Sequence, residues 1–352
     1  MTALALSPPV TAPAVDPESD TTGNLSSGPS PTLHLLGVGK VGRAFLELLD
    51  PREFRLVAAT DSTATLHAAA GLDVRDLLAK KRSGVALVET PGAESLPLDL
   101  VLGLSRAALV IDALPSSLEQ GARALQRCHS VLRAGKRLVL ASKAALAFGI
   151  DHLLDDLIAG RVGIHAALGG TGQALVRELP TLRADCQEIA IVANASTTAL
   201  VLALEQGSTL AEGIARCQVA GVLEPDPELD LDGTDAATKL AIVARAVFGQ
   251  ALQPFAILRE DVRSLDAELV RRRHRLGATT RLVGRVTRDG EARIGYEELE
   301  LGSLLRVPED RVVYSYRGPH ATTRIHVGHA VGAARTARAL LEDVRALTGG
   351  DA

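Results

Sequence analysis

The sequence predicts a two-domain α/β fold, with a doubly wound parallel sheet in the first domain and a second α/β domain after it. The main observation is an apolar strand at residues 32–36 that runs directly into a glycine pattern at 37–42 and then into a helix. Further apolar strands, separated by helical patterns, follow at residues 54–59, 109–112 and 137–141. Apolar and polar residues alternate at 281–287 and 311–316, as they do in sheet strands. Together these patterns indicate a Rossmann-type domain followed by a domain with its own sheet.

Composition limits the classes of protein to consider. The chain has 352 residues, of which 47% are hydrophobic and 23% charged, enough for the cores of two domains. A net charge of −4 gives no indication of a nucleic-acid partner, and no apolar run approaches the ~20 residues that span a bilayer. Cys128, Cys186 and Cys217 lack metal-site spacing, so we expect reduced thiols in the cytoplasm. Residues 1–31, rich in Pro, Ser, Thr and Gly, are predicted to be a disordered leader.

The glycine pattern predicts a dinucleotide-binding turn. Gly37 allows a tight turn, Gly39 lets the backbone approach a pyrophosphate, and Gly42 lets the helix pack closely on the strand. The positive end of the following helix, predicted over Arg43–Leu49, then faces the phosphates. The expected cofactor-binding residues of this turn are Gly37, Val38, Gly39, Lys40, Val41 and Gly42. A purely structural glycine turn is the alternative.

Asp61 bears on the choice of dinucleotide. It lies about twenty residues beyond the glycines, at the end of the second strand, where an acid accepts hydrogen bonds from ribose hydroxyls and repels a 2′-phosphate. This position favours NAD over NADP. Asp61 could equally be an ordinary turn aspartate, and Lys40 and Arg43 could offset its charge for NADP.

The most informative segment is residues 223–240, LEPDPELDLDGTDAATKL. Two prolines keep its first part extended, and a helix follows Gly233. Asp235 and Lys239, four apart on this helix, face the same side and flank its apolar stripe, whereas Thr238 and Arg245 are predicted to face water. A partly desolvated lysine held by an acid can exchange protons near neutral pH. An ordinary helix ion pair is the alternative.

The whole string closely resembles the substrate-site signature of the homoserine dehydrogenase family, and a weaker resemblance extends over about residues 32–348. It implies reversible, NAD(P)-dependent reduction of L-aspartate 4-semialdehyde to L-homoserine, in the biosynthesis of threonine, methionine and isoleucine. By resemblance, Glu224 and Asp230 hold the amino-acid end of the substrate, and Asp235 and Lys239 assist proton transfer. The family also implies a dinucleotide-binding domain over 32–160 with 325–352, and a substrate and dimerisation domain over 161–324 of a homodimer.

Other positions take expectations from the same resemblance. Ser116, in the loop after a strand, should lie by the nicotinamide, Lys143 should reach cofactor and substrate, and the backbone at Gly328 should approach the cofactor. Main-chain carbonyls of a hinge loop should bind a sodium or potassium ion. Those carbonyls belong to His165, Leu168, Gly170 and Gly172.

Among the departures from the family pattern, four in the expected substrate pocket keep two alternatives open. They are Leu114, Ala195, Thr198 and Val222, the last standing where relatives generally place a tyrosine. One alternative is a related dehydrogenase acting on another small hydroxy amino acid or aldehyde. The other is a non-catalytic sensor that binds NAD(P) without turning over a substrate.

Overall fold

The computed structural model describes residues 30–223, 226–329 and 332–349. The predicted leader therefore lies outside the described residues, apart from Ser30 and Pro31, and so does Glu224. The described chain forms two sheets with helices around them, which confirms the predicted α/β class. None of the helices in these ranges is both long and apolar enough to cross a membrane.

The first sheet contains seven strands. They are β1 (Thr32–Leu36), β2 (Arg55–Thr60), β3 (Thr65–His67), β4 (Ala93–Glu94), β5 (Leu109–Asp112), β6 (Arg137–Leu140) and β7 (Val162–Gly163). Their order is β4-β3-β2-β1-β5-β6-β7, and the five strands from β2 to β7 in this order are parallel. β1 lies between β2 and β5, so the loops after β1 and β5 diverge and leave a crevice at the carboxyl ends of the strands.

Helices cover both faces of this sheet, as buried parallel strands require. Six follow the strands along the chain: α1 (Lys40–Leu48), α2 (Val74–Arg82), α3 (Leu98–Leu104), α4 (Gly121–Arg133), α5 (Ala144–Gly149) and α6 (Leu154–Ile158). The helix predicted over Arg43–Leu49 thus begins three residues earlier, at the end of the glycine turn.

The second sheet has six strands and lies after α7 (Gly172–Asp185). The strands are β8 (Glu188–Val192), β9 (Leu258–Arg259), β10 (Thr279–Thr287), β11 (Ala292–Leu299), β12 (Arg311–Arg317) and β13 (Thr323–His329). Their order is β13-β12-β8-β10-β11-β9, with antiparallel neighbours except for β9 and β11. The helices of this part are α8 (Ala195–Glu205), α9 (Leu210–Val219), α10 (Glu228–Leu231), α11 (Thr234–Phe248) and α12 (Ala267–Arg275).

Helix α11 corrects one prediction. Every residue from Ala236 to Ala244 is buried, because the helix packs on β10 and also against α5 and α7. Thr238, predicted to face water, is 2% exposed and donates a hydrogen bond to the carbonyl of Thr234. Arg245, also predicted to face water, keeps only 14% of its side chain exposed and pairs with Asp151. The prediction assumed that one face of the helix is exposed to solvent, and the central turns of α11 have no such face.

The last helix, α13 (Gly332–Thr348), returns to the first sheet and packs on α1. Its buried face contains apolar residues at helical spacing, Ala337, Leu340, Leu341, Val344 and Leu347. The strand before it, β13, belongs to the second sheet. The proposed boundaries between the two domains stay a prediction.

Candidate active site

A cleft of about 1210 Å³ opens between the carboxyl ends of the first sheet and the helices of the second domain. Its walls come from the start of α1, the loops after β5 and β6, the hinge before α7, and the starts of α8, α11 and α13. Eight of the residues predicted from the sequence line it: Lys40, Val41, Ser116, Lys143, Gly170, Asp230, Asp235 and Lys239.

The two predicted proton-transfer residues are in direct contact. Lys239 Nζ donates to Asp235 Oδ2 at 2.6 Å and to the carbonyl oxygen of Ala193 at 2.7 Å. An ammonium group has three N–H donors, so these two bonds leave one for a ligand. Lys239 is 9% exposed, and that exposure is toward the cleft that it lines.

Lys143 reaches the same carboxylate from the first domain. Its Nζ lies 3.4 Å from Asp235 Oδ1, and its backbone N–H donates to Ser116 Oγ at 2.9 Å. Lys143 directly precedes α5, so the carboxyl end of β6 and the first turn of α11 meet here. The fold therefore brings Lys143 to Asp235, which is 92 positions away in the chain.

Two carboxylates in the cleft have opposite electrostatic environments. Burial acts to raise the pKa of Asp235, but the charges of Lys239 and Lys143 outweigh it and lower that pKa to about 2. Burial and the nearby Asp235 charge raise the pKa of Asp230 above its usual range, against the lowering effect of Lys239. Asp235 is therefore a fixed negative charge, whereas Asp230 gains from a cationic partner.

Asn194 is a site residue that the sequence reasoning did not select. Its Nδ2 donates to Asp230 Oδ1 at 3.1 Å, and its Oδ1 caps α8 by accepting from the backbone of Ser196 and Thr197. A polar residue that follows a buried strand and caps a helix is a recognisable pattern, and it could have identified Asn194. The contact with Asp230, 36 residues away, could not be read from the sequence.

The glycine turn has the geometry that a dinucleotide requires. Gly37 has a φ of +93°, and a Cβ atom on Gly42 would lie 2.0 Å from the carbonyl oxygen of Gly37. A Cβ atom on Gly39 would instead meet nothing within 4 Å. The positive end of α1 therefore faces open space at Gly39, whereas Gly37 and Gly42 keep the strand and helix in close contact.

Asp61 does not line the main cleft but a neighbouring cavity of about 210 Å³. Its Oδ2 accepts from Lys81 Nζ at 2.7 Å and from the backbone of Leu87 at 3.0 Å. Its Oδ1 accepts from the backbone and hydroxyl of Thr63 and from the backbone of Ala64. Both oxygens are thus engaged by their own domain, and the pKa of Asp61 lies well below its usual range because these hydrogen bonds outweigh burial.

The hinge histidine finds partners on the last helix. His165 Nε2 lies 3.1 Å from Glu342 Oε2, and the backbone N–H of His165 donates to Asp343 Oδ2 at 2.7 Å. In the same loop the carbonyls of His165 and Leu168 already accept hydrogen bonds from Gly170 N and Thr171 Oγ1. These carbonyls serve the turn itself, so the cation site stays a prediction.

Gly328 lies beside the hinge. A Cβ atom on it would lie 2.0 Å from the carbonyl oxygen of Gly169, so no larger residue fits there without movement. Of the residues that depart from the family pattern, Leu114, Ala195 and Val222 line the cleft. Thr198 is buried behind it and donates to the carbonyl of Asn194.

Comparison with known proteins shows what this chain is similar to. The family model for homoserine dehydrogenase matches residues 176–344. A homoserine dehydrogenase of Methanocaldococcus jannaschii is 24% identical over 327 residues, which cover 88% of this chain and 96% of that protein. An NAD(+)-dependent homoserine dehydrogenase of Pseudomonas canavaninivorans is 23% identical over 280 residues, or 74% of this chain and 79% of that one.

Solved structures share the fold. A homoserine dehydrogenase from Thermoplasma acidophilum aligns with a TM-score of 0.70 and 21% identity over 91% of this chain and 100% of its own. A mutant of a hyperthermophilic archaeal homoserine dehydrogenase in complex with NADPH also aligns with a TM-score of 0.70, at 21% identity, over 90% of this chain and 97% of its own. The resemblance found in the sequence is confirmed: the chain is similar to homoserine dehydrogenases over most of its length, and the family model matches its second half.

Proposed function

We propose that this protein is an NAD(P)-dependent homoserine dehydrogenase, which interconverts L-aspartate 4-semialdehyde and L-homoserine in threonine, methionine and isoleucine biosynthesis. The observation that carries the proposal is the Lys239–Asp235 pair, which meets Lys143 at the carboxyl end of a dinucleotide-binding sheet. The substrate is inferred from similarity to homoserine dehydrogenases. The charged cluster of Lys239, Asp235 and Lys143 can stabilise and protonate the reacting oxygen of that substrate.

The residues present fit a dinucleotide. Gly39 leaves open space at the positive end of α1 for the diphosphate, while Lys40 and Val41 line the adjacent cleft wall. Ser116 and Lys143, which line the cleft after β5 and β6, would hold the nicotinamide. When bound, the nicotinamide supplies the hydride that converts the aldehyde carbon to an alcohol.

The chain's own residues handle charge and the proton. The third N–H of Lys239 is directed to the substrate oxygen and donates a proton to it, directly or through a water, as negative charge develops. Asp235 stays ionised and holds Lys239 in place, and Lys143 adds positive charge beside the same oxygen. In the oxidative direction Lys239 accepts the proton of the hydroxyl.

The opposite end of the substrate needs an anionic partner. Asp230 is half-buried in the cleft wall. It accepts a hydrogen bond from Asn194, whose own side-chain oxygen is fixed by the backbone of α8, so Asp230 is held in one orientation. Its raised pKa means that a substrate ammonium would be a favourable neighbour. We assign Asp230, with Glu224, to the amino-acid end of homoserine, where they hold the ammonium group and its neighbouring groups.

Four finer features belong to the same proposal. The position of Asp61 favours NAD, although Lys81 offsets its charge. A sodium or potassium ion at the hinge carbonyls is inferred from the family, and no step of the reaction requires it. Three free, buried cysteines fit a reducing cytoplasm. A homodimer is inferred from the family, and light scattering with chromatography would test it.

The direct test mixes purified protein with L-homoserine and either NAD or NADP at alkaline pH, and follows absorbance of the reduced nicotinamide. We expect reduced cofactor to form with one or both. No reduction with either, while an authentic homoserine dehydrogenase works in the same buffer, would refute the proposal. Binding of cofactor without turnover of any related alcohol would favour a sensor.

A second candidate function is oxidation of another small hydroxy amino acid. It is favoured by Val222, Leu114 and Ala195, three apolar side chains that line the cleft beside the charged cluster. Short apolar side chains leave room for a longer substrate chain. A panel of hydroxy amino acids at equal concentration would separate the candidates, since a higher kcat/KM for any of them than for L-homoserine would favour the second.

A further inference from the structure

His329 occupies a place in the cleft that the proposed mechanism does not use. It ends β13 and lines the same cleft as Lys40 and Lys143, with 48% of its side chain exposed. Its backbone nitrogen lies 3.3 Å from where a Cβ atom on Gly170 would stand, so it abuts the hinge turn. It therefore projects from the second sheet toward the nucleotide side of the cleft.

The imidazole is oriented by a charged pair behind it. Arg335 Nη1 and His329 Nδ1 form a hydrogen bond of 2.5 Å, and Arg335 Nη2 lies 3.0 Å from Asp310 Oδ2. A guanidinium group has donors only, so His329 Nδ1 must accept this bond. The imidazole then carries its N–H on Nε2, the ring nitrogen that faces away from Arg335.

The part of the cleft near His329 is defined by helix α13. Ala333, Thr336 and Ala339 of that helix line the same cleft, and α13 packs on α1, whose first turn receives the diphosphate. On the proposed binding mode the adenosine end would lie by Asp61, which lines a separate cavity. A donor at His329 would therefore be available to the diphosphate and the nicotinamide ribose of a bound dinucleotide, which present oxygen acceptors.

We propose that His329 is a further dinucleotide-binding residue, which donates a hydrogen bond from Nε2 to an oxygen of the diphosphate–nicotinamide ribose segment. Arg335 is its positioning residue and Asp310 anchors Arg335. The assignment rests on the proposed dependence on NAD(P). It adds a contact from the second domain, so that the cofactor is held by both sides of the cleft.

The test is direct titration of the full-length protein with NADH and with NADPH, followed by cofactor fluorescence in the absence of substrate. We expect His329→Ala to raise both dissociation constants about five- to tenfold, as for loss of one hydrogen bond to a phosphate or ribose oxygen. His329→Gln keeps an N–H donor and should bind within about threefold of the parent protein. Arg335→Met should give an intermediate loss of cofactor affinity, because the imidazole of His329 stays in place but is no longer oriented by Arg335.

Arg338→Met is the matched control. Arg338 is exposed on the same helix and should leave both constants unchanged. Unchanged binding in His329→Ala, or equal losses in His329→Ala and His329→Gln, would overturn the assignment. A parent protein that binds neither cofactor would overturn the proposed function as well. Binding without turnover of L-homoserine would refute the function while the role of His329 is still tested by the same titrations.

Discussion

Asp235 is shared by two lysines, one that follows strand β6 of the first sheet and one on helix α11: Lys239 binds one carboxylate oxygen at 2.6 Å and Lys143 lies 3.4 Å from the other. The two positive charges thus converge on one side of the cleft around a single fixed negative charge. The net charge of the three groups is positive. This is the environment in which an aldehyde oxygen that gains electrons is stabilised.

Replacing Lys239 should abolish most activity. Lys239→Met keeps the length of the side chain but removes the donor, and Lys239→Ala removes both, so we expect kcat to fall by about 10²–10⁴-fold in each. Cofactor affinity should change by less than about threefold, since Lys239 faces the substrate side. Arg245→Met, on the same helix but paired with Asp151, is the control and should retain turnover. A normal kcat in Lys239→Met would remove Lys239 from the mechanism.

The glycine turn offers a pair of substitutions with opposite effects. Gly39→Ala adds a methyl group into open space, so stability should be unchanged, but the methyl group would stand where the diphosphate approaches. We expect its dissociation constant for NADH to rise at least about tenfold. Gly42→Ala places a Cβ atom 2.0 Å from the carbonyl oxygen of Gly37 and should cost about 1–3 kcal/mol of unfolding free energy. Titration with NADH and urea unfolding of both variants test this, and a destabilised Gly39→Ala would contradict it.

Lys81 should influence the choice of coenzyme. It neutralises Asp61 at 2.7 Å, so Lys81→Met leaves a negative charge near the ribose and should disfavour a 2′-phosphate. We expect kcat/KM with NADP, relative to NAD, to fall about tenfold. Lys80→Met is the control, because Lys80 pairs with Asp76 on the exposed side of α2. An equal change with both coenzymes would show that Lys81 only supports the local fold.

Asp343 should make stability depend on pH. Burial raises its pKa to about 7, although hydrogen bonds from Gln173 and the backbone of His165 lower it. Because the carboxyl of the unfolded chain ionises near its ordinary pKa of 3.8, the folded state loses stability as pH rises from about 4 to 7. In Asp343→Asn the amide oxygen can accept from the backbone N–H of His165, and the amide NH2 can donate to Gln173 once the Gln173 amide turns over, so the variant keeps two hydrogen bonds without ionising.

We therefore expect the stability gain of Asp343→Asn to grow by roughly 2–3 kcal/mol between pH 5 and pH 8. Urea unfolding at both values measures it, and Asp289→Asn, at the exposed turn between β10 and β11, should have no comparable effect. A gain that shrinks with rising pH would show that the carboxyl of Asp343 is ionised in the folded protein.

The local parts of the fold and site could be predicted from the sequence. The glycine pattern of Gly37, Gly39 and Gly42 predicts the strand, turn and helix around it. The four-residue spacing of Asp235 and Lys239 predicts their contact from helical geometry alone. Lys143 could be placed only by family resemblance, since nothing near it in sequence indicates that it meets α11. The prediction from helical periodicity that Thr238 faces water was wrong, because α11 is buried on all sides by elements far along the chain.

Long-range polar pairs were the part that sequence reasoning could not supply. Lys81 follows Asp61 by 20 residues and Asp343 follows His165 by 178, and neither spacing has a periodic relation that would pair them. Asp61 shows the consequence, since its position indicates a ribose ligand while its partners in the fold already engage both oxygens. Such pairs depend on how whole elements dock, which short patterns do not encode.

The return of α13 to α1 has a consequence for how the protein is made. During synthesis the first sheet and α1 emerge from the ribosome long before α13, whose Ala337, Leu340 and Val344 cover α1. The apolar surface of α1 therefore stays exposed while the second sheet is translated. The nucleotide domain therefore matures only after the rest of the described chain has left the ribosome. A translation product that stops before α13 would leave the apolar surface of α1 exposed. Chaperones bind exposed apolar surfaces of this kind.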